Sequence, residues 1–91
     1  MRDSYGVAAF RSRQQVLRFE SALRQRGVPT QVVTTPRDIS MGCGLSVRFR
    51  LEDTQAVIRA LRQANTGNLI GLYRVEYMGG GKPRLTAISL R

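Results

Sequence analysis

Residues 45–51 read LSVRFRL, and this strict alternation constrains the chain more than any other stretch. Successive side chains of a strand point to opposite faces, so Leu45, Val47, Phe49 and Leu51 fall on one side and Ser46, Arg48 and Arg50 on the other. A strand of this kind has one face to bury and one to leave open. It therefore predicts an antiparallel sheet covered on a single side. The cover has to come from elsewhere in the chain, and two segments with helical periodicity can supply it.

The first of these follows Ser12, whose side chain is of the type that caps a helix N-terminus. Val16, Phe19, Ala22 and Leu23 share one helical face, while Arg13, Arg18 and Arg24 lie off it. Gly27 offers a left-handed stop and Pro29 prevents continuation. The second segment starts at Asp53, read as its cap, and repeats Val57, Ala60, Leu61 and Ala64 at helical spacing until Gly67. Leu51 is assigned to the preceding strand.

Further strands are expected at YGVAAF (5–10), at the β-branched run TQVVTT (30–35) ended by Pro36, and at LIGLYRVEYM (69–78). The GGGKP turn then leads into RLTAISL (84–90), a returning strand. The order is β-α-β-β-α-β with an extra C-terminal strand. Two amphipathic helices on one face of an antiparallel sheet, joined by right-handed crossovers, make a ferredoxin-like α+β sandwich. Residues 1–91 are read as one domain, because a chain of this length buries only about 60–65% of its extended surface and supports one two-layer core.

Composition narrows the chemistry. The chain has no histidine, which removes the usual general base and every Cys-His or Ser-His nucleophile pair within it. A metal site would have to rest on carboxylates, and none is expected; no cofactor motif is present either. GGGK at 79–82 lacks the spacing of a phosphate loop, and Pro83 forbids the helix that should follow it. No apolar run is long enough for a membrane span or a secretory leader, and a lone cysteine forms no intrachain disulfide, so the cytosol is the expected compartment. The net charge is +9, and all but one of the 15 basic residues are arginine. They are scattered rather than blocked, which describes a solvated basic surface before it describes a dedicated nucleic-acid surface.

The one cysteine, Cys43, lies between Gly42 and Gly44 in the segment PRDISMGCGLSVRF (36–49). A cysteine kept for packing behaves as a small buried hydrophobe. Flanking glycines instead free the backbone to take unusual φ values and let another molecule come close. Backbone N–H groups at Gly42 and Gly44, with the charge of Arg37 nearby in the loop, form a setting that favours a thiolate. Arg48 and Arg50, on the side of the sheet read as open, are candidates for gripping phosphates or an acidic partner. RNA recognition on that face would call for aromatic platforms, and Phe49 has core parity, while Tyr73 and Tyr77 are read as core packing. Glu52 and Asp53 are read as helix-start carboxylates rather than an acid/base pair.

YGVAAF, the amphipathic helix after it, and the loop TPRDISMGCGLSVRF together resemble a small bacterial family of selenium/sulfur carrier-like domains, formerly of unknown function. Its Pro-Arg-x-Ile-Ser…Cys-Gly-Leu pattern is filled here by Pro36, Arg37, Ile39, Ser40, Cys43, Gly44 and Leu45. The likeness covers the first half to two-thirds of the chain, and the tail from about Gly71 departs from it. What the resemblance implies is a carrier rather than a stand-alone enzyme, with Cys43 holding sulfur or selenium as a persulfide or selenosulfide. It also implies a donor and an acceptor protein as partners. The residues themselves leave a second reading open. In it the chain is a non-catalytic binding module whose basic sheet face meets RNA or an acidic protein, and Cys43 is incidental. Either reading leaves room for a homo-oligomer.

Overall fold

A computed structural model describes residues 4–39, 44–64, 68–77 and 81–90. The elements run β1 (Ser4–Phe10), α1 (Arg13–Gln25), β2 (Thr30–Thr34), β3 (Leu45–Phe49), a 3-10 turn (Leu51–Asp53), α2 (Thr54–Ala64), β4 (Leu69–Glu76) and β5 (Arg84–Ala87). The strands form one sheet in the order β2-β3-β1-β4-β5, every neighbouring pair antiparallel. β3 sits between β1 and β2, which is the split β-α-β arrangement of a ferredoxin-like fold, and β5 extends the sheet beyond β4.

Helix α1 ends as its sequence demands. Gly27 has φ +80, Val28 N–H reaches the carbonyl of Leu23, and Gly27 N–H reaches that of Arg24. This double bond pattern closes the helix and turns the chain inward, burying Val28 with Leu23. Ser12 stands at the N-cap position but its side chain makes no capping bond.

Val16, Phe19 and Leu23 of α1 and Val57, Ile58, Ala60 and Leu61 of α2 pack on Ala8, Phe10, Val47, Phe49 and Leu72. Register explains the match, since Ala8 is opposite both Val47 and Leu72. Gly6 lies opposite Phe49, and the Phe49 ring occupies the space that a side chain at position 6 would need.

Several expectations are corrected. Asp53 does not cap α2. It closes the 3-10 turn, and its carboxylate accepts a hydrogen bond from Arg50 Nε at 3.0 Å. Leu51 belongs to that turn rather than to β3, so the alternation of 45–51 ends structurally at Phe49. Ala64, read as part of the apolar stripe, is exposed, and Ile58 is buried in the core. Gly67, the expected end of α2, lies outside the described residues.

The sheet's second face is not bare. Val7, Ala9 and Val75 are fully buried there, joined by Ile39 from the loop after β2 and flanked by Tyr5, Val33, Ile70, Tyr73 and Leu85. Alternation in β3 could not reveal this, because the cover is a side chain from a loop. Tyr73 lies on this second face, its ring over Gly71, and Tyr77 is exposed beyond the end of β4, so neither belongs to the core between sheet and helices.

Candidate functional site

The loop from Pro36 to Gly44 joins β2 to β3 and carries most of the sequence-derived site. Its stem is closed by Thr35 N–H donating to the Gly44 carbonyl at 2.9 Å, one step beyond the last register pair, Thr34 with Leu45. Beneath that bond the Thr35 and Ser46 hydroxyls meet at 2.7 Å. Ser46 is the one fully buried polar side chain among the described residues, and this contact satisfies it. Leaving the stem, the chain makes a turn in which Ile39 N–H donates to the Pro36 carbonyl at 3.0 Å. Arg37 and Asp38, at the turn's centre, are exposed, whereas Ile39 is driven into the apolar cluster on the sheet.

Gly44 has φ +86, and a Cβ placed on it would meet nothing within 4 Å. The glycine is therefore required by backbone conformation and not by crowding within the chain. Of the residues singled out for the site, Gly42 and Cys43 lie outside the described residues. Arg37 and Gly44 stand on the same loop, at its first turn and at its stem.

Arg48 and Arg50 are elsewhere. Arg48 is four residues along β3 from Gly44, about 13 Å at roughly 3.3 Å per residue. Its guanidinium lies 4.0 Å from the centre of the Tyr5 ring, a cation–π contact. Tyr5 also neighbours Tyr77, with ring centres 6.3 Å apart. Burial holds the Tyr5 phenol above the ordinary tyrosine range, hydrogen bonding with Tyr77 adds to this, and the Arg48 charge pulls the other way. Arg50 is engaged by two carboxylates, Asp53 at 3.0 Å and Glu52 at 3.5 Å. A shallow concavity of about 650 Å³ lies at this far end, bordered by Tyr5, Pro29, Gln31, Arg48 and Arg50. Among the described residues, the structure thus separates Arg37 and Gly44, on the loop, from Arg48 and Arg50 at an aromatic–arginine end.

Two contributors to the loop site escaped sequence reasoning. One is the Thr35–Ser46 hydroxyl pair, whose only sequence trace is a threonine ending a β-branched run. The other is the role of Ile39, which the motif names without a function: this aliphatic residue of an otherwise polar turn anchors the loop to the sheet.

The sequence from residue 5 to residue 71 matches the model of a protein family described as "Putative Se/S carrier protein-like". The chain belongs to that family. The matched span takes in β1 from Tyr5, α1, β2, the whole of the loop, β3 and α2, and it stops inside β4. No curated protein and no solved structure gave a match. Among the described residues no group of three or more His, Cys, Asp or Glu could hold a metal ion, and no helix is long and apolar enough to cross a membrane.

Proposed function

We propose that this Se/S carrier-like domain carries its cargo on Cys43, as a persulfide or selenosulfide, between a donor and an acceptor protein. The observation that carries the reading is the family match over residues 5–71, which includes the loop around the chain's only thiol. The closed stem at Thr35 and Gly44 supports it, because a loop held at its base and anchored through Ile39 can present its tip to another protein without unfolding the sheet.

The transfer balances without an added oxidant. The Cys43 thiolate attacks the outer sulfur of a donor persulfide, R–S–SH. A new S–S bond forms, the donor's S–S bond breaks, and R–S⁻ leaves with the electron pair. Attack by an acceptor thiolate on the outer sulfur of Cys43–S–SH completes the delivery. No resident base is needed, in keeping with a chain that has no histidine. Arg37 and the backbone at Gly42 and Gly44 are assigned to favouring the thiolate.

The test is direct. Reduced protein incubated with a small-molecule persulfide should gain the mass of one sulfur atom on the peptide holding Cys43, and lose it to an added thiol. Cys43→Ser should gain nothing. In parallel, Cys43 should alkylate faster near neutral pH than an ordinary thiol, with Arg37→Ala moving that profile to higher pH. Resistance to alkylation until the protein is denatured would sink the carrier reading. Neither arginine of the alternative reading strengthens it, since Arg50 is neutralised by Glu52 and Asp53 and Arg48 is seated on Tyr5.

A further inference from the structure

The two outer strands of the sheet are unlike each other. β5 is four residues long, begins with the exposed Arg84, and follows Lys82 and Pro83, all devices that discourage another strand from pairing. β2 also follows a proline, Pro29, but has no charged residue at its start or within it. Its sequence, TQVVT, carries no charge and no proline in a chain of net charge +9.

Register determines which groups β2 offers outward. Thr35 bonds to Gly44 across the ladder, so Val33 with Ser46 and Gln31 with Arg48 are the other hydrogen-bonded positions of this antiparallel pair. The N–H and C=O groups of Thr30, Val32 and Thr34 therefore point away from β3, along the free edge. Read outward, that edge is Thr, Val, Thr, which is the same in both directions about Val32.

Apolar exposure gathers on the same side. Val32 is 38% exposed, with its side chain on the helix-covered face. Leu17, 50% exposed, is three residues before Glu20, whose carboxylate accepts a hydrogen bond from Thr30 at 3.0 Å. Residues three apart share a strip of a helix, so Leu17 lies on the flank of α1 that looks over β2.

We infer that the β2 edge is a self-association surface, on which a second copy of this chain adds its own β2 antiparallel about a two-fold axis at Val32. Such an isologous contact sets Val32 against the second copy's Val32 and Thr30 against its Thr34, so each outward N–H finds a carbonyl. β-Branched pairs and threonine pairs face one another, and no like charges meet across the axis. The occupant is a second copy because the edge is self-complementary in backbone and side chain alike, whereas an acidic partner would find no charge there to answer. One consequence bears on the loop. Thr35, at the loop stem, comes beside the second copy's Pro29, which borders the concavity containing Arg48.

The experiment is sedimentation equilibrium on the Cys43→Ser protein, so that no disulfide-linked dimer can form and the outcome is independent of the thiol chemistry. The expected result is a monomer–dimer equilibrium that tightens as salt rises, because screening relieves the repulsion between two strongly basic chains. Val32→Pro removes only an outward N–H and leaves the β2–β3 ladder intact, so it should give a folded monomer by circular dichroism. Val32→Lys, which sets two ammonium groups against each other on the axis, should do the same if the proline variant fails to fold. A parent protein that stays monomeric at high concentration and high salt overturns the inference. So does a Val32→Lys variant that dimerises as tightly as its parent.

Discussion

Thr35 and Gly44 are bonded across the base of the loop, N–H to carbonyl at 2.9 Å, and Gly44 holds a positive φ of 86° as it makes that bond. The bond makes the loop a closed excursion from a β2–β3 hairpin rather than a loose connection. It also fixes where the chain re-enters the sheet directly after Cys43. Any residue with a Cβ at position 44 must either strain or give up this geometry.

Gly44→Val should therefore lower stability by about 1–3 kcal/mol through backbone strain, with no steric clash to add to it. At roughly 4–8 °C per kcal/mol for a domain of this size, the loss is readable in a thermal melt. Gly44→Asn should cost clearly less, because asparagine tolerates the left-handed region. If the glycine also sets the direction of Cys43, the valine variant alkylates at an altered rate while still folded. Equal melting points for glycine and valine proteins would refute the strain.

Ile39 is the loop's hold on the sheet. Ile39→Ala should cost about 2–5 kcal/mol, near the low end because the side chain keeps 8% of its surface exposed. Urea unfolding measures the loss. The variant's Cys43 alkylation profile should change as well, which a mutation in the helix-covered core, such as Val16→Ala, should not cause at equal stability.

The ring of Phe49 fills the space above Gly6. Gly6→Ala is expected to destabilise the protein by about 1–3 kcal/mol or more through overpacking of a fully formed core. Phe49→Leu should be better tolerated in the Gly6→Ala background than alone. A double-mutant cycle reads that coupling, and strictly additive effects would contradict the contact.

Tyr5 links stability to alkaline pH. Burial raises its phenol above the unfolded value, so the folded state binds the proton more tightly than the unfolded state does. Its contribution is fully present below about pH 10, the ordinary tyrosine value, and is lost as pH rises through the folded value. Tyr5→Phe should flatten the fall in unfolding free energy above that pH. Arg48→Ala should raise the phenol further, seen in the phenolate absorbance titration, because it removes the one charge that favours the anion. A titration unchanged by Arg48→Ala would mean that the cation–π contact does not persist in solution.

Much of this protein was legible in one dimension. Period-two alternation at 45–49, helical stripes at Val16–Phe19–Leu23 and Val57–Leu61, and the stop at Gly27 specify elements and faces, because burial of one face imposes its repeat on the residues that form it. The glycines beside Cys43 signal in the sequence either an unusual backbone or a close approach, and the structure shows the positive φ at 44. What only tertiary structure decided are relations between residues distant in sequence. Ile39 covers the sheet's second face because the turn at 36–39 folds back over it, and no local period encodes a single side chain arriving from a loop. Arg48 and Arg50 share a strand parity yet meet different fates, one on Tyr5 and one between Glu52 and Asp53, because the strand ends at Phe49 and the chain coils into a 3-10 turn. The free edge at β2 likewise exists only once strand order is set. Local sequence writes the elements, and the order in which the sheet assembles decides which of their groups are left to face another molecule.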